Sequence, residues 1–124
     1  MKFEVSQRFF FDAAHTLQRE IDSGSSARIH GHTYHAEVTV VGSPDASGMV
    51  VDLGFLRRDL EAVRALLDHQ LLDEVRGLGA PTLENLCAFI ATSLQVDFPS
   101  LSSVRVWRES RGDACLLTLA RHPE

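Results

Sequence analysis

The chain has 124 residues, 44% of them hydrophobic and 23% charged, with a net charge of −5. That length supports one domain with a real core and not two, so residues 1–124 are expected to form a single unit. The acidic balance, with no Lys/Arg cluster, argues against a nucleic-acid or anionic-membrane surface. No apolar run approaches the ~20 residues of a membrane span, and Met1-Lys2-Phe3-Glu4 opens no signal-peptide core. Cys87 and Cys115 lack metal-like spacing and read as reduced thiols, which makes the cytoplasm the expected compartment.

Residues 2–14 alternate as a strand, with Phe3, Val5, Phe9, Phe11 and Ala13 sharing the parity of His15. Ser6-Gln7 breaks the pattern, and a bulge is expected there. Residues 16–28 are a polar loop, long for a hairpin connection, and long loops in compact domains are often functional. Residues 29–41 form a second strand. His30, His32, Tyr34, Ala36, Val38 and Val40 lie on one face, and Ile29, Thr33, His35, Glu37 and Thr39 on the other. Residues 42–48 are a turn.

Asp52 is the expected N-cap of a helix whose apolar stripe is Leu53, Leu56, Leu60, Val63 and Leu67 and which ends near Asp68-His69. Residues 70–81 are irregular, broken by Gly77, Gly79 and Pro81. Thr82 caps a second helix with the stripe Leu83, Leu86, Cys87, Ile90 and Leu94; Glu84 in its first turn suits the helix dipole. Asp97-Phe98-Pro99-Ser100 ends it. Ser103 to Glu109 is a third strand, in which Val104, Val106 and Arg108 alternate with Arg105, Trp107 and Glu109. A turn at Arg111-Gly112-Asp113 leads to a fourth, Ala114 to Ala120. The order ββααββ predicts an α+β fold: an antiparallel four-stranded sheet with both helices on one face. Its edges need covering, and oligomerisation is a natural way to do so.

The chemistry centres on Ala27-Arg28-Ile29-His30-Gly31-His32-Thr33-Tyr34-His35. In a strand, residues i and i+2 point to the same face, so His30 and His32 present two imidazoles side by side. His15 ends the preceding strand. Three histidines on adjacent strands fit a zinc site that keeps its fourth position open, as catalytic zinc does. His35 has the opposite parity and is left out.

These residues match a known family. The chain resembles the 6-pyruvoyl tetrahydropterin synthase and 6-carboxytetrahydropterin synthase family of T-fold proteins. The resemblance rests on Phe11-Asp12-Ala13-Ala14-His15, His30-Gly31-His32-Thr33-Tyr34, Met49-Val50-Val51-Asp52-Leu53, Leu67-Asp68-His69, Pro81-Thr82-Leu83-Glu84-Asn85 and Arg108-Glu109, in that order along the whole chain. It implies trimers whose sheets join into a barrel, two trimers stacked as a homohexamer, and active sites at subunit interfaces. It implies His15, His30 and His32 as zinc ligands. Glu109 matches the carboxylate that anchors a pterin ring, whose N3–H and 2-amino group one carboxylate accepts as a pair. Asp68 and His69 match a proton-relay pair, Asp68 orienting His69.

The family's remaining catalytic residue is a cysteine before the His-Gly-His motif. The 6-carboxytetrahydropterin synthases carry it as C-x3-HGH, which falls here on Ser26. The animal 6-pyruvoyl enzymes carry C-x5-HGH, which falls on Gly24. Cys87 and Cys115, in a helix and in the last strand, are no obvious substitutes. Some members place a glutamate near this loop and cleave the side chain differently, but Glu20 is not assigned that role. A serine hydroxyl does not rest as an anion near neutral pH and needs a base beside it, for which His69 is the candidate. Arg19 and Arg28 flank the loop and are candidates for meeting a triphosphate. The implied reaction converts 7,8-dihydroneopterin triphosphate to 6-carboxytetrahydropterin on the route to queuosine. The alternatives are the 6-pyruvoyl reaction and a paralogue that binds zinc and pterin without lyase turnover.

Overall fold

The computed structural model describes residues 1–16, 24 and 28–119. Two 13-residue strands, β1 (Phe3–His15) and β2 (His30–Gly42), are followed by α1 (Leu53–Leu67), a 3-10 turn (Leu72–Glu74) and α2 (Leu83–Gln95). β3 (Leu101–Arg108) and β4 (Asp113–Thr118) complete a four-stranded sheet of order β1-β2-β3-β4 in which every neighbouring pair is antiparallel. The expected order ββααββ is the order found. Among the described residues no helix is long and apolar enough to cross a membrane.

Strand parity builds the core. Phe11 and Ala13 of β1, Tyr34, Ala36, Val38 and Val40 of β2, and Val104 and Val106 of β3 are all buried on one face. Both helices cover that face, α1 against β1 and α2 against β3 and β4. α1 offers Leu56, Leu60, Val63 and Leu67, and α2 offers Leu86, Cys87, Ile90, Ala91 and Leu94. Leu53, expected in the first stripe, is exposed because it opens the helix ahead of the sheet contact. The caps are those expected. The Asp52 carboxylate accepts from Gly54 N–H at 2.8 Å, and Thr82 Oγ1 accepts from Asn85 N–H at 3.1 Å.

The bulge expected at Ser6-Gln7 is not there. β1 and β2 pair without interruption from Phe3↔Gly42 to His15↔His30. Ser6 is held inside this ladder, its hydroxyl 2.9 Å from Thr39 Oγ1. The irregularity falls instead between Thr39 and Val40, where β2 meets β3. β3 stops at Arg108, so Glu109 belongs to the turn rather than to the strand.

The free edge of β1 is closed near its end by the segment that leaves α1. His69 N–H donates to Asp12 C=O at 2.6 Å and Ala14 N–H to Gln70 C=O at 3.0 Å. His69 adopts φ +59°, a conformation uncommon outside glycine, where α1 breaks to run along the strand.

Leu86 is fully buried between α2 and the sheet. Leu86→Ala is expected to cost about 2–5 kcal/mol, and Thr82→Ala about 1 kcal/mol, read as shifts of the urea midpoint with unchanged slope.

Candidate metal centre

The uninterrupted β1–β2 register sets His15 directly opposite His30, and His32 follows two residues along the same face. All three belong to the core face, at the end of the sheet where the apolar residues run out. Their rings pack edge to face with centroids 4.5 Å (His15–His30), 4.9 Å (His15–His32) and 4.9 Å (His30–His32) apart. One ring nitrogen from each lies within 4.8 Å of the others, and His15 Nε2 and His30 Nε2 are 2.9 Å apart. Two imidazoles on a tetrahedral zinc with bonds of about 2.0–2.1 Å stand roughly 3.3 Å apart, so the group has the span of one metal ion.

The outer nitrogens are committed elsewhere. His30 Nδ1 donates to the Arg28 carbonyl at 2.8 Å. His15 Nδ1 donates to the Pro81 carbonyl at 3.2 Å, with the Tyr34 hydroxyl also 3.2 Å away. These partners fix the tautomer and turn the Nε2 lone pairs toward one another, the arrangement that second-sphere carbonyls give metal-binding histidines. Two facing lone pairs repel unless a cation lies between them. Burial lowers the His15 pKa, and the charges of His30 and Arg108 add to the effect against the pull of Pro81. Burial, then Arg108, pushes His32 down to about 4. Neutral imidazoles are what a metal requires.

Asp68 and His69 form the expected pair, His69 Nδ1 lying 2.8 Å from Asp68 Oδ2. Asp68 Oδ1 also accepts the Asp12 N–H at 2.9 Å, and Arg64 lies 3.3 Å from Oδ2. The backbone N–H, then His69 and Arg64, hold this carboxyl below its ordinary range against a smaller desolvation effect. Asp12 is fixed in turn by a short hydrogen bond from Thr33 Oγ1. His69 and His32 line one open cleft of about 520 Å³, together with Asp12, Ala14, Gly31 and Thr33. The pair therefore borders the same space as one of the three histidines.

Glu109 lies in the turn after β3. It shares parity with Trp107, on the face away from the histidines, and its Oε1 accepts the Trp107 indole N–H at 2.8 Å. Trp107 itself stacks on His35, with Arg105 over its ring at 4.4 Å. Within the chain the structure does not bring Glu109 to the triad. Arg108 stands there instead, almost wholly buried, with Nη1 3.4 Å from His32 Nε2 and Nη2 2.5 Å from Asp113 Oδ2. The signal was present in the sequence, because Arg108 continues the buried alternation of Val104 and Val106.

Ser26, Arg19 and Glu20 lie outside the described residues. Arg28 is exposed and contributes its backbone carbonyl to His30. Cys87 is no reactive substitute for a missing cysteine: burial, with Cys115 beside it, pushes its thiol up to about 12.

An antiparallel sheet with two helices on one face and three histidines at the end of that face defines a T-fold protein with a candidate metal centre. The 6-pyruvoyl tetrahydropterin synthase family model matches residues 4–118, and the chain belongs to that family. It is 34% identical over 109 residues to the 6-carboxy-5,6,7,8-tetrahydropterin synthase of Synechocystis sp., covering 82% of this chain and 83% of that one. It is 31% identical over 110 residues to the dihydroneopterin monophosphate aldolase of Pyrococcus furiosus, covering 86% and 90%. The structure of Caenorhabditis elegans 6-pyruvoyl tetrahydropterin synthase superposes with a TM-score of 0.82 over 97% of both chains at 22% identity, a likeness of fold. Relatives of similar identity thus carry two different activities, and membership alone does not choose between them.

Elemental mass spectrometry of native protein is expected to show about one divalent metal per chain, lost in His30→Ala and His32→Ala. Stoichiometric metal retained in the His15/His30/His32 triple alanine variant would overturn the assignment. A second expectation concerns Asp68. Because folding lowers its pKa, its stabilisation is present at neutral pH and is lost as pH falls through the folded value. Thermal melts should place Asp68→Asn below wild type at neutral pH, with the gap closing below about pH 4.

Proposed function

We propose that the protein is a zinc-dependent carbon–oxygen lyase of the 6-carboxytetrahydropterin type, acting on 7,8-dihydroneopterin triphosphate on the route to queuosine. The observation that carries this reading is the convergence of His15, His30 and His32 beside a cleft that His32 and His69 line. The 34% identity to a 6-carboxytetrahydropterin synthase supports it, as does the spacing that puts Ser26 at the C-x3-HGH position. When bound to these histidines, zinc supplies Lewis acidity toward oxygen atoms of a ligand side chain.

The chain's own residues supply the proton handling. His69 is placed to accept or return a proton at its Nε2, because Asp68 holds Nδ1 and keeps the ring oriented. Asp68 is itself held by the Asp12 backbone, so the pair is anchored to the strand that carries His15. In the proposed homohexamer of two stacked trimers, the sheets join at their free edges and the site closes against a neighbouring subunit. The x3 spacing favours the carboxy over the 6-pyruvoyl reaction.

Two observations favour a second reading, in which the protein binds its ligand without lyase turnover. Ser26 stands where the resemblance implies a cysteine, and the Arg108 guanidinium lies beside His32. Incubation with dihydroneopterin triphosphate and product analysis separates the two. The lyase reading expects 6-carboxytetrahydropterin from wild type and a rate raised by orders of magnitude in Ser26→Cys. Release of triphosphate without that product would end it. Binding without product in wild type, with turnover restored by Ser26→Cys, would establish the second reading.

A further inference from the structure

On the core face, between the triad and the start of α2, lies a pocket of about 240 Å³ lined by His15, Tyr34, Thr82, Glu84, Arg108 and Asp113. It is smaller than the roughly 300 Å³ at which sites for whole drug-sized ligands begin, so it takes one end of a ligand. Its charged floor is Arg108, only 5% exposed.

That guanidinium is poorly satisfied for its depth. It has five N–H donors and no acceptor. Asp113 takes one of them at 2.5 Å, while the approach of Nη1 to His32 Nε2 is a long 3.4 Å. Nε is buried with no hydrogen-bond partner among the described residues. A buried charge lacking acceptors is costly unless something completes it. Asp113 cannot do so alone, since its side chain is 45% exposed and reaches only one end of the fork. Glu84, also lining the pocket, is exposed at the rim.

Two further features push the same way. α2 begins at this pocket, and Thr82 Oγ1 caps only Asn85 N–H. Intrahelical geometry leaves the N–H groups of Leu83 and Glu84 open, at the positive end of the helix dipole. A divalent cation in the triad would place a second positive charge within a few ångströms of Arg108. Asp113 offsets Arg108 in part from the exposed side, and an anion between the two cations would offset both.

We propose that Arg108 sets the ligand class of this pocket: it receives an oxyanion, a carboxylate or a phosphate group, bridging the guanidinium and the cation held by the three histidines. A donor edge such as N3–H with a 2-amino group would face the donors of Arg108 at this position. The Oδ2 of Asp113 is already engaged by Arg108. The inference rests on the metal-site assignment and on Arg108, not on the lyase reading, and it holds whether or not the protein turns over a pterin.

The test is isothermal titration of zinc-loaded full-length protein with inorganic phosphate, with acetate, and with unphosphorylated dihydroneopterin. Wild type should bind at least one of the two anions, and the tighter of them identifies the group. Arg108→Gln should keep its zinc yet bind that anion about ten- to a hundredfold more weakly, the range for loss of a charged hydrogen bond. Asp113→Asn should bind it as well as wild type or better, and the surface variant Arg58→Gln should be unchanged. Should Arg108→Gln fail to fold, Arg108→Lys keeps the charge and is expected to retain part of the anion affinity. Wild type with no measurable affinity for either anion would overturn the proposal. So would Arg108→Gln binding both as tightly as wild type. So would dihydroneopterin binding that Asp113→Asn abolishes and that neither anion displaces. A chain inactive on dihydroneopterin triphosphate would leave the titrations interpretable.

Discussion

The β1–β2 ladder is the constraint on which the rest depends. Its thirteen consecutive pairs run without a bulge from Phe3↔Gly42 to His15↔His30. A slip of one residue would send every side chain of one strand to the other face. Phe11 and Tyr34 would leave the core together, and His15 would part from His30. Folding and site assembly are therefore one event: the burial that fixes the register also sets the spacing of the imidazoles. The stacking of Phe11 on Tyr34, with ring centroids 5.1 Å apart, lies one layer below the histidines and passes the rigidity of the core directly to them.

Around that ladder the site is assembled from backbone. The Pro81 and Arg28 carbonyls orient two of the imidazoles, and the N–H and C=O of Asp12 hold the Asp68–His69 pair from one residue. Backbone partners of this kind depend on chain path more than on side-chain identity. The left-handed conformation of His69 fits the same pattern. A few tenths to a few kcal/mol of backbone strain is tolerated where neighbouring hydrogen bonds over-determine the position.

A buried charge lies beside the triad. The Arg108 guanidinium approaches His32 and is joined to Asp113. The consequence is chemical. A buried guanidinium brings donors that call for an acceptor at this end of the pocket. The three histidines that could hold a metal and the Asp68–His69 pair stand close by.

Much of this was legible in the sequence because it is written in local periodicity. Alternation over 29–41 placed His30 and His32 on one face with Tyr34 and Val38. Steps of three and four gave both helical stripes, and Asp52 and Thr82 marked their starts, since an N-cap acts within three residues of itself. Other features depended on partners far along the chain. Ser6-Gln7 breaks an apolar pattern, yet Thr39 across the ladder keeps the strand regular. Where β3 ends and which side of the sheet Trp107 occupies decided that the Glu109 carboxylate meets the Trp107 indole. Arg108 continued a buried alternation that the sequence displayed. Only the tertiary structure, by setting the end of β3 beside His32 and the start of α2, made that arginine the floor of the pocket. The sequence by itself determined the elements and the histidine triad, because strand and helix periods are local. Which charge lies beside His32 was settled by packing between strands far apart in the chain.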